Sequence, residues 1–351
     1  MIGQMTAWHI TWHLNWHMVW VTGLLLVIAV VVSAGLVMVL RPFLTRYVMA
    51  TPNQRSSHKV ATPQGGGIAV LAATVATVLS ALLLAPEIAP TPRTLLILIA
   101  ATVGLAVVGV SDDIKPLGAA PRLLLQGMSV AVVIAILPDD MRTVPFLPWW
   151  LERALMLIAG VWFVNLVNFM DGIDWMTVGE VVPVTVGLFI AAAIGAVPAE
   201  GAVVTVALCG AMLGFAPFNK PVAKIFLGDV GSLPIGLLLF WLLLLLAGSG
   251  HLAAAVLLPL YYLADTTITL LRRLIAGEKV TQAHRQHFYQ RGHDGGLTVN
   301  RIVARIVAVN AALVVLATIS VLASSLIVDG LTLAAGFALV GLLLYRLNAK
   351  I

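Results

Sequence analysis

Long apolar runs broken by short polar clusters occupy almost the whole chain. A bilayer core of about 30 Å takes about 20 apolar residues in helical form. Eleven stretches approach that length, at 19–40, 65–86, 93–110, 122–138, 149–168, 177–197, 200–218, 230–248, 251–271, 300–326 and 329–347. Two features of this division are the weakest: the short run at 122–138, and the narrow gap between 177–197 and 200–218. The pattern predicts an all-α, polytopic membrane bundle of about eleven transmembrane helices. No internal repeat, heptad pattern or low-complexity linker interrupts it, so residues 1–351 read as one membrane-embedded domain.

Composition agrees. The chain is 61% hydrophobic and 10% charged, against about 25% charged residues in soluble domains. That leaves too little polar surface to cover a water-soluble globule. The single cysteine, Cys209, lies in an apolar run, cannot form an internal disulfide and reads as a packing residue.

Basic residues give a direction. With the N-terminus outside, the inner loops hold Arg41, Arg46, Arg55, Lys59, Lys115, Arg122, Lys220, Lys224, the cluster from Arg272 to Arg305, and the tail residues Arg346 and Lys350. The outside keeps Arg93, Arg142 and Arg153. Lysine and arginine concentrate on the cytoplasmic side of membrane proteins, so this bias predicts a periplasmic N-terminus and a cytoplasmic C-terminus. Residues 1–20 lack lysine and arginine and so lack the basic start of a cleavable signal peptide; an uncleaved first span is expected. The same stretch carries Trp8, Trp12, Trp16 and Trp20 with His9, His13 and His17, a four-residue repeat that would line one side of a helix. An interfacial aromatic belt and a metal site built from the histidines both fit it.

The unusual polar residues fall into five segments, all at the inner face in this topology. The first is Arg55-Ser-Ser-His-Lys59 followed by Thr62-Pro-Gln-Gly-Gly-Gly67. Its glycines permit close backbone approach, and a helix N-terminus favours anions; a plain loop is the alternative. The second holds adjacent acids, Asp112 and Asp113, with Lys115, Arg122 and Gln126 following. Paired carboxylates at the end of an apolar span need a cation, a wet cavity or a proton, and their repulsion suits one of them to act as a base; a solvated loop is the alternative. The third, Asn165, Asn168, Asp171 and Asp174, places four polar groups three residues apart, on one face if the helix continues. The fourth runs from Asn219 to Ser232, where Asp229 opens a leucine-rich span either as a cap or as a magnesium ligand. The fifth, His284-Arg285-Gln286-His287-Phe288-Tyr289-Gln290-Arg291, supplies donors suited to phosphates; zinc held by His284 and His287 is the competing assignment. Upstream, Asp265 sits inside an apolar span, either as a functional acid or hydrogen-bonded to its threonines.

In order, SSHKVATPQGGG, DDIKPLGAAPRLLLQ, NLVNFMDGID, FLGDVGS and HRQHFYQR resemble the motifs of the polyprenyl-phosphate N-acetylhexosamine-1-phosphate transferases, over about residues 41–300. The resemblance implies transfer of a sugar-1-phosphate from a UDP-sugar donor to undecaprenyl phosphate, releasing UMP at the cytoplasmic face of the bacterial inner membrane and initiating O-antigen or another surface glycan. It implies a magnesium cofactor, with manganese as a substitute, bound by Asp229 and Asp112. It makes Asp112, Asp113, Asp171, Asp174 and His287 catalytic. It assigns the substrates to Lys59, Lys115, Asn168, Asn219, Phe226, His284, Arg285 and Arg291, with Asn219 and Phe226 at the uracil. It implies the lipid bilayer as a partner, no nucleic acid, and a homodimer as one allowed assembly. Direct in-line attack is favoured over a covalent aspartyl intermediate.

Two departures bear on the donor. Trp175-Met176 follows Asp174 where the family usually has Gly-Leu, and the fifth segment lacks the triple histidine of the branch that makes the first peptidoglycan lipid. An N-acetylglucosamine, N-acetylfucosamine or N-acetylquinovosamine donor is therefore expected over the muramyl-pentapeptide donor. An ion-coupled secondary transporter, of a different class, would put its acids near the bilayer midplane and not at span ends.

Overall fold

The computed structural model describes residues 16–50, 61–279 and 284–348. The candidate Lys59 and most of the N-terminal Trp/His repeat lie outside them. The fold is an all-α membrane bundle: α1 (Trp16–Tyr47), α2 (Gly67–Leu84), α3 (Pro92–Ile114), α4 (Ala119–Ala135), α5 (Trp149–Met170), α6 (Met176–Ala193), α7 (Ala199–Asn219), α8 (Asp229–Gly248), α9 (Leu252–Leu257), α10 (Leu260–Ile275), α11 (Phe288–Asp294), α12 (Val299–Ala323) and α13 (Leu326–Asn348). Two short strands, β1 (Met49–Ala50) and β2 (Thr62–Pro63), pair antiparallel beside α1.

Each predicted apolar stretch falls on a helix, but two fall short of a full span. Among the described residues nine helices are long and apolar enough to cross a membrane, and α4 has only 17 residues. The stretch 251–271 is broken into α9 and α10 around Leu258 and Pro259. Pro259 has no N–H with which to carry the helical ladder through, a break that a hydropathy window averages away.

The bundle is organised around α8. Its sequence, DVGSLPIGLLLFWLLLLLAG, is apolar all round except at its start, and its apolar window is entirely buried. A helix hydrophobic on every side belongs inside a bundle. Peripheral helices instead leave leucine, valine and phenylalanine outward, as at Leu24 and Val31 on α1 and Leu326 and Phe337 on α13, where acyl chains are the solvent. Many hydroxyls within the helices donate to carbonyls of their own helix, and a few polar groups tie helices together: Asn165 donates to Gln126 at 2.6 Å, joining α5 to α4, and Ser33 donates to the Ala211 carbonyl at 2.7 Å, joining α1 to α7.

Glycines let helices converge on the start of α8. A Cβ on Gly67 would stand 2.3 Å from Gly231 Cα, and one on Gly109 would stand 2.4 Å from the Asp229 carbonyl oxygen. Residues 64–67 run alongside 226–227: Gly66 N–H donates to Phe226 O and Gly67 N–H to Leu227 O, both at 2.8 Å. These amides, which the sequence left open to an anion, are therefore engaged. The triple glycine serves backbone packing, which brings the first and fourth segments together.

Candidate functional site

Asp113, Asp171 and Asp229 come from different helices yet meet at one end of the bundle. The carboxylate of Asp113, at the end of α3, accepts from the backbone N–H groups of Asp229 at 3.0 Å and Val230 at 3.1 Å, and from the side chain of Gln64. It caps α8 from another helix, satisfying amides that a helix start leaves unpaired. Asp112, its neighbour, accepts from Arg122 at 3.1 Å and from the Leu117 N–H at 2.6 Å, and its carboxyl lies within hydrogen-bonding reach of Asp229. Asn168 donates to Asp229 Oδ1 at 2.7 Å and to Ser232 at 2.9 Å.

The third segment does not stay helical. α5 stops at Met170, Asp171 is its C-cap, and the chain unwinds before α6. Asp171 is held by the Thr177 hydroxyl. Burial pushes its carboxyl up to about 6, with the charges of Asp113 and Asp174 adding to the shift against the Thr177 hydrogen bond. Asp174 accepts from the Ala223 N–H at 3.0 Å, fixing the loop between α7 and α8. Trp175 takes the left-handed conformation (φ 63°) in which glycine is at ease, held by its N–H to Asn219 Oδ1 at 2.9 Å and its indole N–H to Ala216 O at 2.7 Å. Those two bonds accommodate tryptophan at the position of the family's glycine. The shared face expected of the four polar residues is thus only partly realised: Asn168, Asp171 and Asp174 line one cleft, whereas Asn165 turns into the α4–α5 interface.

That cleft, about 280 Å³, is also lined by Gln64, Asn219, Phe226, Gly228, Asp229 and Gln290. Four of the five segments line it; the second stands behind the wall, with the Asp113 carboxylate against Gly228. Asn219 lines the wall, but its amide holds backbone, accepting from Trp175 N–H and donating to Ile225 O at 3.1 Å.

The fifth segment departs from expectation. His287, expected in the catalytic set, is 2% exposed, and its Nδ1 lies 3.1 Å from Asp265. Asp265, fully buried, also accepts from the backbone N–H groups of Phe288 and Tyr289 and from the Tyr261 hydroxyl. It anchors α11 and does not border the cleft. His284 stacks on His287 with ring centroids 4.9 Å apart; burial and its basic neighbours His287 and Arg273 push it down to about 4, so it is neutral at pH 7. Arg285 pairs with Asp294 at 2.8 Å, and Arg291 donates to the Gln286 carbonyl and to Asn348 on α13. Gln290, overlooked within the quoted motif, carries this segment into the cleft, as Gln64 carries the first. Lys115 is exposed at the end of α3. We expect His287→Ala to lower the thermal midpoint in detergent, because it strips a partner from buried Asp265 at about 1–3 kcal/mol; an unchanged midpoint with a raised KM for donor would restore the contact expected from sequence.

Among the described residues, no three His, Cys, Asp or Glu side chains form a protein-only metal cage. Asp112 and Asp229 nonetheless fit a magnesium ion. Two carboxyl groups placed against each other require a proton or a cation between them, and magnesium takes one or two carboxylates, completing its shell with water and substrate phosphates.

A helical membrane bundle with a carboxylate-rich cleft at one end of its helices defines an integral membrane enzyme. The glycosyl transferase family 4 model matches residues 95–247. The chain is 28% identical over 283 residues to the Bacillus subtilis protein named "Probable undecaprenyl-phosphate N-acetylglucosaminyl 1-phosphate transferase", covering 76% of each chain. It is 32% identical over 237 residues to the phospho-N-acetylmuramoyl-pentapeptide-transferase of Geobacillus kaustophilus, covering 60% of this chain and 72% of that one. With the enzyme of that name from Moorella thermoacetica it shares 34% over 204 residues, 51% of this chain and 59% of that one. The chain belongs to glycosyl transferase family 4, the polyprenyl-phosphate N-acetylhexosamine-1-phosphate transferases.

Proposed function

We propose that this protein transfers an N-acetylhexosamine-1-phosphate from a UDP-sugar to undecaprenyl phosphate at the cytoplasmic face of the bacterial inner membrane, giving undecaprenyl-diphospho-sugar and UMP. The observation that carries this reading is the convergence of Asp112, Asp113, Asn168, Asp171 and Asp229 at the mouth of α8. A site at helix ends suits one substrate held in the bilayer and another arriving from water.

In the reaction, an oxygen of the lipid phosphate bonds to the phosphorus that carries the sugar. The bond from that phosphorus to the bridging oxygen breaks, and UMP departs with that oxygen. A phosphate monoester has its second pKa near 6, so the attacking oxygen is largely unprotonated at neutral pH and positioning outweighs base catalysis. Phosphoryl transfer depends chiefly on alignment and charge stabilisation. Asp112 and Asp229 would hold magnesium, which when bound offsets the charge of the diphosphate. Asp113, occupied by α8 amides, serves as the brace that fixes Asp229, and this assigns it a positioning role in place of the base. Asp171 and Asp174 border the donor, and Phe226 offers a ring for the uracil face. Arg122 is paired with Asp112 at 3.1 Å.

The named relatives include both N-acetylglucosaminyl and muramoyl-pentapeptide transferases, and surface-glycan initiation is the branch favoured here by the histidine-poor fifth segment. Purified protein with magnesium, undecaprenyl phosphate and a panel of UDP-sugars should release UMP with an N-acetylhexosamine donor. Release only with the muramyl-pentapeptide donor would move the protein to the peptidoglycan branch. Release with none would remove the transferase reading.

A further inference from the structure

Behind the cleft a second set of polar groups runs into the bundle. Thr177, in the first turn of α6, gives its hydroxyl to Asp171. Other buried threonines in this protein (Thr74, Thr102 and Thr185) give theirs to the carbonyl one turn back in their own helix, the usual habit of a helical threonine. Thr177, the second residue of α6, has no carbonyl one turn back within its helix; its hydroxyl reaches across to Asp171 instead, and it is 2% exposed. The hydroxyl of Tyr262, on α10, lies beside Thr177, and the Tyr262 N–H is turned toward the carboxyl of Glu180 one turn further along α6. Glu180 Oε2 in turn accepts from Asn310 of α12 at 2.6 Å, and Asn310 also donates to Gly179 O at 3.0 Å.

Tyr262, Glu180 and Asn310 are each 1% exposed. Among the described residues, Glu180 Oε1, Asn310 Oδ1 and the Tyr262 hydroxyl find no partner at ordinary hydrogen-bond geometry. A carboxyl, a phenol and an amide grouped in the apolar interior are costly. Their order is informative: each lies next to the previous one, and the series ends on the one carboxylate at the C-terminus of α5 that lines the cleft.

We propose that Thr177, with Tyr262 beside it, forms a positioning relay that fixes the direction of the Asp171 carboxylate, and that Glu180, held by Asn310 of α12, seats the Tyr262 backbone. Asp171 sits where α5 has unwound, so its own backbone does not set the rotamer. The Thr177 hydroxyl does, with the Tyr262 side chain packed beside it. The relay rests on the transferase reading, because its effect is read in that reaction.

The test compares Thr177→Val, which keeps the shape and removes the hydroxyl, with Thr177→Ser, which restores it, and with Tyr262→Phe. UMP release is measured across donor concentration, with thermal stability in detergent alongside. The relay requires kcat to fall about tenfold in Thr177→Val while KM for the donor stays within about twofold, with Thr177→Ser returning toward the wild-type rate and Tyr262→Phe falling in the same direction. Equal kcat in Thr177→Val and wild type, a loss matched by a proportional rise in KM, or a serine variant as slow as valine would overturn it. Should Thr177→Val lose folded protein, Tyr262→Phe decides alone: a slower kcat at unchanged KM supports the relay and an unchanged kcat ends it. Absence of UMP from the wild-type protein would remove the transferase reading and the relay together, whereas an active wild type with indifferent variants removes the relay only.

Discussion

Asp229→Asn should fold normally and lose about three powers of ten in magnesium-dependent UMP release. The side chain is the same size, and its carbonyl oxygen still accepts from Asn168, which now donates at 2.7 Å. Its new N–H₂ can donate to Asp112, whose carboxyl lies within hydrogen-bonding reach. Without a cation, then, the asparagine removes a repulsion between two acids, and the thermal midpoint should hold or rise. The catalytic loss follows because a neutral amide is a poor ligand for a hard divalent cation. The opposed signs of the two effects make the prediction specific: a variant that is both unstable and inactive would indicate a structural role, and a fully active one would take Asp229 out of the metal site.

Asp113→Ala should instead lose stability and activity together. The carboxylate accepts from two backbone amides at the start of α8 and from Gln64. Truncation strands those part-buried amides, a cost of about 2–4 kcal/mol. Asp229 is the first residue of α8, so slack there misplaces the proposed metal ligand. Asp113→Asn, which keeps one acceptor oxygen, should fall between alanine and wild type in thermal midpoint. If Asp113 were the base, asparagine would match alanine in rate and wild type in stability.

The two adjacent acids show where sequence reading succeeds and where it stops. A pair of aspartates at the end of an apolar span is conspicuous because few structural reasons place it there, so Asp112 and Asp113 stood out as candidates, and the structure brings both within reach of Asp229. Their division of labour was not legible, because it depends on which carboxylate meets the amides of α8, a helix more than a hundred residues away. The helices themselves were legible because a membrane span must satisfy its own backbone groups and face lipid or helices with apolar side chains. The break at Pro259 and the seven-residue α11 were not, since each is a local event inside or beside a run whose average composition looks continuous. The fifth segment misled for a related reason. Histidine and arginine near a phosphate site read as ligands, yet here His287 meets a buried aspartate, and Arg285 and Arg291 are engaged by Asp294 and Asn348. Only Gln290 of that run borders the cleft, and an isolated glutamine gives no sequence pattern to read. Trp175 illustrates the converse: the sequence marked it as unusual, and the structure supplies the reason, two hydrogen bonds that hold a tryptophan in a backbone conformation better suited to glycine.

The proposed site requires Asp112 of α3 and Asp229 of α8 to share one divalent cation. Binding of Mn²⁺ to the purified protein, followed by loss of the free-ion EPR signal in the presence of a UDP-sugar, tests this most directly. The prediction is stoichiometric binding by the wild type that is lost in Asp229→Asn and weakened in Asp112→Asn, with both variants folded. Equal Mn²⁺ binding by the wild type and both variants would contradict it.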